Sequence, residues 1–237
     1  SISGYSRIGG LIGNADGNNI IRNVYSKDSV NGESFIGGLI GRLYNSTLIN
    51  SYSISSLNGY SDIGGLVGSD PGGKIKYSYS ASKITSTTSS NIGGLIGTWP
   101  SHENIEHSFF LLFPGINGSG DNFNPYGQMI GLSSSNFKTN CSVVSQLNNF
   151  KYSGSWRWVG DTTINNGYPI LYWQNGADTN NSDCWNGQGS INNPYNINYT
   201  KDIIVLSDLV MKGAKYDSTF FKVQNDINFK QGIIDSS

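Results

Sequence analysis

One phrase, Ile-Gly-Gly-Leu-(Ile/Val)-Gly, occurs four times in the first half of the chain, at Ile8–Gly13, Ile36–Gly41, Ile63–Gly68 and Ile92–Gly97. The copies begin 28, 27 and 29 residues apart. A fixed period of this length marks units too short to bury an apolar face alone, so each must stack on its neighbours. The chain is therefore constrained to an elongated solenoid before any single residue is considered.

A second phrase follows each copy: Ile21-Arg-Asn-Val-Tyr25-Ser26, Leu48-Ile-Asn-Ser-Tyr52-Ser53, Ile75-Lys-Tyr-Ser-Tyr79-Ser80 and Ile105-Glu-His-Ser-Phe109-Phe110. The columns Ile21/Leu48/Ile75/Ile105, Asn23/Asn50/Tyr77/His107 and Tyr25/Tyr52/Tyr79/Phe109 lie two residues apart, as on one face of a strand. The columns between them, Arg22/Ile49/Lys76/Glu106 and Val24/Ser51/Ser78/Ser108, are mostly polar and predict a solvent face. Ile2, Val30 and Leu57 each stand six residues before the next repeat's first Ile and predict a third, shorter strand. Three strands and three turns in about 27 residues is the length of one coil of a parallel β-helix, with coils about 4.8 Å apart.

The repeat residues Gly10, Leu11, Gly38, Leu39, Gly65, Leu66, Gly94 and Leu95 read as architecture. Glycine inside a strand marks a bend or a close approach by another group. Two readings stand: the paired glycines leave room for Tyr25, Tyr52, Tyr79 and Phe109 across a narrow core, or they form a corner. A phosphate-binding role is disfavoured, because no Lys-Ser/Thr and no long helical pattern follow the phrase.

The Gly-Leu-x-Gly phrase, followed by Ile-x-Asn-Ser-Tyr-Ser, resembles the GLUG repeat of large bacterial and archaeal surface proteins, including adhesins and the non-catalytic stalks of some IgA-specific metallopeptidases. The resemblance covers residues 1–131, counting Gly127-Gln-Met-Ile-Gly131 as a degraded fifth copy after an insertion at Leu111–Asn124. It implies an extracellular or cell-surface location and a structural role, with no peptidase domain in this segment.

Composition is consistent with such a role. Of 237 residues, 13% are charged, with 15 basic and 16 acidic, which provides no field to recruit nucleic acid or an anionic membrane. No apolar stretch approaches the roughly 20 residues needed to span a bilayer. The chain starts within a coil and ends soon after another begins, so it reads as part of something larger whose other domains are its first partners.

Beyond residue 131 the period is lost. Residues 132–176 are rich in aromatics, including Phe137, Trp156, Trp158, Tyr168 and Trp173, and Trp156-Arg-Trp158 with Asn166-Gly-Tyr-Pro-Ile-Leu-Tyr-Trp173 resembles the segment that closes GLUG arrays. Large rings can cover the exposed end of a solenoid with few residues. Alternatively, Trp156, Trp158, Trp173 and Trp185 form a platform for stacking on sugars. Residues 177–193 read as a linker. Residues 194–237 read as the start of a second β-helix, with the Asn193-Pro-Tyr-Asn-Ile197 strand, a short helix capped by Thr200 with the stripe Ile203, Leu206 and Val210 and a stop at Gly213, then strands. Cys141 and Cys184 suit a disulfide in an exported protein, with two buried thiols as the other reading. Asn45, Asn117, Asn140, Asn180 and Asn198 head N-glycosylation acceptor sequences.

Catalytic constellations are weak. His102 and His107 are five residues apart, so neither a helix nor a strand presents both on one face, and the HExxH zinc motif is not met. Acidic residues do not recur in register, as a glycosidase groove along a solenoid would require. Two segments place oxygen ligands at alternate positions for calcium, Asn14–Asn19 around Asp16 and Asp178–Asp183, but both lack a bidentate Glu.

The resulting expectation is an all-β, right-handed parallel β-helix of four to five coils, an aromatic capping region, and the start of a second β-helix. Its function would be non-enzymatic: a rigid stalk or fibre segment of a surface protein, without a cofactor, partnered by neighbouring domains, by surface glycans or by its own copies in a filament. The competing class is a β-helix that binds or cleaves carbohydrate.

Overall fold

The computed structural model describes residues 1–86, 90–98, 104–122, 128–139, 141–148, 155–157, 163–174, 189–197, 202–203, 206–207, 210 and 216–227. The chain divides into two compact units, Ser1–Phe137 and Lys138–Ser237. The first is a β-solenoid built almost wholly of short parallel strands.

One coil can be followed from Ser29 to Ser53. Strands Ser29–Asn31, Ser34–Gly37, Ile40–Tyr44, Thr47–Ile49 and Tyr52–Ser53 succeed one another, each pairing with its equivalents above and below. Four faces result. The valine face aligns Ile2, Val30, Leu57 and Ile84. The glycine face aligns Ile8, Ile36, Ile63 and Ile92 on one side of its corner, and Ile12, Ile40, Val67 and Ile96 on the other. The leucine face aligns Ile21, Leu48, Ile75 and Ile105. The tyrosine face aligns Tyr25, Tyr52, Tyr79, Phe109 and Ile130 in register. These ladders are the columns expected from the two phrases, and the short strand at Ile2, Val30 and Leu57 is present.

The core lies between the faces. Leu39, Leu66 and Leu95 from the repeated phrase pack with Ile40, Leu43, Leu48, Val67, Ile75 and Ile96, all fully buried. A second cluster joins Ile8, Val30, Ile36, Leu57 and Ile63. Burial of such side chains contributes roughly 1.5–3 kcal/mol each.

Three column assignments change. Asn23, Asn50, Tyr77 and His107 do not sit on the inner face of a strand: all four have positive φ, at 56, 48, 50 and 39°, and form a left-handed corner between the leucine and tyrosine faces. Asparagine tolerates this conformation better than most residues. The corner shifts the two-residue alternation, so Ser51, Ser78 and Ser108 are buried instead of solvent-facing. Each bonds a carbonyl two residues back, as Ser51 Oγ does to the Ile49 carbonyl at 2.8 Å.

The paired glycines form a corner, and the side chain they admit is not the tyrosine. A Cβ on Gly10, Gly38 or Gly65 would stand 2.0, 2.2 or 2.3 Å from the hydroxyls of Ser26, Ser53 and Ser80 respectively, and on Gly94 it would meet the ring of Phe110. Tyr52 and Ser53 are neighbours on one strand and point to opposite sides. With the serine inward, the tyrosines stack outside: Tyr25 on Tyr52 at 5.1 Å, and Tyr52 on Tyr79 at 4.9 Å, nearly parallel. Phe137, on the short helix Ser134–Thr139 (α1), lies 5.1 Å from the Tyr79 ring and 6.2 Å from that of Phe109.

The inward serines form a buried chain. Ser82 Oγ is 2.9 Å from Ser53 Oγ, Ser53 Oγ donates to Ser55 Oγ at 2.9 Å, Ser55 Oγ is 3.3 Å from Ser26 Oγ, and Ser26 Oγ reaches the Asp28 carboxylate at 3.3 Å. Ser55 and Ser82 also bond the Gly38 and Gly65 carbonyls, at 3.2 and 2.9 Å. At the fourth coil Phe110 takes the place of the serine and the chain of hydroxyls ends.

The fifth copy of the glycine phrase is also relocated. Met129–Leu132 continues the tyrosine face, where Ile130 aligns with Phe109. The strand that follows Ile92–Thr98 on the glycine face is Asn117–Ser119, inside the segment read as an insertion. Gly120 supplies the close approach there, since a Cβ on it would stand 2.2 Å from the Gly97 carbonyl, as one on Gly97 would stand 2.4 Å from that of Gly68.

The second unit has its own small cores. Helix Cys141–Leu147 (α2) precedes Asn148, whose carboxamide bonds the Trp156 backbone twice, at 2.8 and 3.0 Å. Strands Trp156–Arg157 and Ile170–Leu171 are antiparallel. Tyr195–Ile197 pairs in parallel with Phe221–Val223, and Ile203, Leu206, Tyr216 and Ile227 pack on Tyr195 and Ile197. Residues 202, 203, 206, 207 and 210, which lie in sequence between these two strands, are helical. Val210, expected in the buried stripe, is 52% exposed. No helix of the described residues is long and apolar enough to cross a membrane.

Candidate functional site

Positions that depart from the repeat converge on the outward side of the leucine face. Burial of Ile21, Leu48, Ile75 and Ile105 turns their strand neighbours outward. From the first coil to the fourth these are Ile20 and Arg22, Thr47 and Ile49, Lys74 and Lys76, then Glu106. A left-handed corner bounds the face on each side, because Asn18, Asn45 and Gly72 have φ of 63, 46 and 80° at one edge, and the Asn23 to His107 column stands at the other.

The second edge carries the densest chemistry. Lys76 and Glu106 form a close ion pair across adjacent coils, and the Tyr77 hydroxyl donates to the other Glu106 oxygen at 2.9 Å. The Tyr77 and His107 rings stack at 5.9 Å, and the Gln128 side-chain oxygen accepts from the His107 amide at 3.3 Å. Burial, then the hydrogen bond to Glu106 and its charge, push the Tyr77 hydroxyl up to about 12. Burial raises Glu106, but the hydrogen bonds from Lys76 and Tyr77 and the neighbouring Lys76 and His107 outweigh it and hold the carboxyl below its ordinary range. A carboxylate held ionised by two donors is a poor proton donor near neutral pH, and the other charged residues on its face, Arg22, Lys74 and Lys76, are cations. The arrangement serves recognition and stacking better than acid catalysis.

The first edge is a groove of about 290 Å³, lined by Asn18, Ile20, Asn45, Ser46, Thr47, Gly72 and Lys74. It spans three coils. Gly72 opens it: the Asn45 Oδ1 lies 2.3 Å from where a Cβ on residue 72 would be. Behind Gly73 stands the buried carboxylate of Asp70, 2.0 Å from the position of a Cβ there.

The residues singled out from the sequence do not assemble into one site. Trp156 is fully buried in the second unit and offers no ring to a sugar, whereas Trp173 is 49% exposed. Trp158, Trp185, Asp178, Asp183, Cys184 and His102 lie outside the described residues, as does the side chain of Cys141. Asp16 is exposed and stands 4.0 Å from the Arg42 guanidinium. Among the described residues no three His, Cys, Asp or Glu side chains converge as metal ligands. Tyr25, Tyr52, Tyr79 and Phe109 are ladder residues, as expected. Sequence reasoning missed the groove, although the recurrence of Asn18 and Asn45 just before the leucine strands could have marked it.

Comparison with protein-family models, with curated proteins and with solved structures finds no match to this chain.

Proposed function

We propose that the chain is a structural module of an extracellular or cell-surface protein, a rigid repeat segment of an adhesin-like stalk related to GLUG-repeat proteins. It acts without chemistry of its own and holds neighbouring domains at a set distance. One observation carries the reading: the ladders keep the same residues in register from coil to coil, so stiffness along the axis comes from continuous parallel pairing. The four repeats of Gly-Gly-Leu-x-Gly and the low charge suit a long exposed array.

Two measurements test this. Pulled by its ends, the chain should lengthen in steps of one coil, about 90 Å for 27 residues at full extension, whereas featureless low-force extension would contradict a rigid rod. Brief protease treatment of intact source cells should release its peptides. Recovery from the cell interior alone would defeat the surface assignment.

A further inference from the structure

We infer that the groove at the glycine–leucine corner is a binding site for a neutral saccharide, with sugar units laid along the solenoid axis across the first three coils. The inference goes beyond the stalk reading and does not depend on it. It starts from what the groove offers. Asn18 and Asn45 stand on successive coils at equivalent corners, both exposed, and among the described residues no protein group engages either carboxamide. Each carboxamide donates and accepts at once, which is what vicinal hydroxyls require. Thr47 adds a hydroxyl and Lys74 three donors, while Ile20, 68% exposed, supplies an aliphatic wall for the C–H side of a ring.

The backbone fixes these groups. The Asn18 amide donates to the Asn45 carbonyl at 2.9 Å, the Asn45 amide to the Pro71 carbonyl at 3.4 Å, and the Thr47 amide to the Asn19 carbonyl at 2.8 Å. Ser46 Oγ bonds the Tyr44 carbonyl at 3.0 Å and accepts from the Asn19 amide at 3.2 Å, so the floor is already satisfied and rigid. A preorganised site loses little entropy on binding. The third coil has Gly72 where the first two have asparagine, and this missing side chain makes a cleft instead of a ridge.

The donor set decides the class of sugar. Among the described residues Lys74 is the one cation lining the groove, and it is exposed, whereas the other polar groups are neutral carboxamides and hydroxyls. A single solvated lysine holds an anion weakly, so the groove matches an uncharged polyol, which the carboxamides can both donate to and accept from. The volume sits at the low end of small-molecule sites, which suits one or two rings at a time.

The test uses the full chain made in a bacterial host, so that the Asn45-Ser46-Thr47 acceptor sequence carries no glycan. Maltohexaose, cellohexaose, mannohexaose and an oligogalacturonate are each titrated and followed by saturation-transfer NMR and calorimetry. At least one neutral hexaose should bind saturably, and Asn18→Ala and Asn45→Ala should each weaken it about tenfold or more. Lys83→Ala, on the valine face, should leave it unchanged. Circular dichroism and thermal unfolding of the variants verify folding, and Asn45→Gln provides a milder change if Asn45→Ala unfolds. Failure of all neutral hexaoses to bind, binding of the oligogalacturonate alone, or binding lost in Trp173→Ala but kept in both asparagine variants would overturn the assignment.

Discussion

Gly38 and Ser53 occupy a space that holds only one side chain: a Cβ on residue 38 would lie 2.2 Å from Ser53 Oγ and equally close to the Gly65 carbonyl. Backbone stands on one side and a hydroxyl already committed to Ser55 on the other, so neither can retreat without breaking the coil. Gly38→Ala should therefore destabilise the first unit by at least about 3 kcal/mol, at the upper end for overpacked cores. Gly17→Ala is the comparison, since its Cβ would meet nothing within 4 Å and only its φ of 85° opposes the change. Urea midpoints that move equally for the two variants would refute the close-packing account.

The tyrosine stack predicts unequal costs for equal deletions. Tyr52 is fully buried between two rings, whereas Tyr25 ends the stack and is 37% exposed. Tyr52→Ala should cost about 3–5 kcal/mol, as for other buried aromatics, and Tyr25→Ala about 1 kcal/mol. Thermal melts of the pair would decide, and a larger loss at Tyr25 would contradict the order.

Phe35 has φ of 52° at the corner that Arg7, Asp62 and Asn91 share in the other coils. A bulky side chain is disfavoured there by about 1–2 kcal/mol. Phe35 belongs to neither core cluster, so Phe35→Asn should raise stability by about 1 kcal/mol. An unchanged or lower melting temperature would show that its contacts outweigh the strain.

The Tyr77 and Glu106 pair predicts two flanks in stability against pH. The folded Tyr77 holds its proton up to about 12, above the value near 10 of an unfolded tyrosine. Its contribution is therefore complete below pH 10 and is lost as pH climbs through 12. Glu106 is shifted the other way, so its contribution is complete above the unfolded carboxyl's value and is lost as pH falls through the folded one. Both groups face solvent and both effects are small. Tyr77→Phe should remove the alkaline flank that Tyr77 contributes, and coincident alkaline curves for the two proteins would refute it.

Ladders were legible in the sequence because their columns repeat a residue type: Ile8 to Ile92, Leu39 to Leu95, Tyr25 to Phe109. Corners were not, because a left-handed residue leaves no hydrophobic trace, and it shifts the alternation for the residues after it. That shift hid the burial of Ser51 and Ser78. The inner serines went unread for a related reason. Ser-x-Ser follows the tyrosine in two repeats, but serine counts as polar, and only the neighbouring glycine shows that it points inward. The fifth glycine strand was hidden because Asn117–Ser119 lacks the apolar residues of the phrase and pairs with a register shift between Gly93 and Ile96, whereas Met129–Ile130 keeps apolar residues that serve another face. The groove depends on Gly72, whose role is visible only beside Asn45.

The line of hydroxyls from Ser82 through Ser53, Ser55 and Ser26 to Asp28 is short of protons. Each hydroxyl has one to give, and Ser82 and Ser55 donate theirs to the Gly65 and Gly38 carbonyls, so toward the other serines they only accept. Donors and acceptors therefore alternate, and the dipoles have no common sense along the axis. What the line adds to the rod is cross-bracing, because it ties the serines to the glycine corner within a coil and to one another between coils.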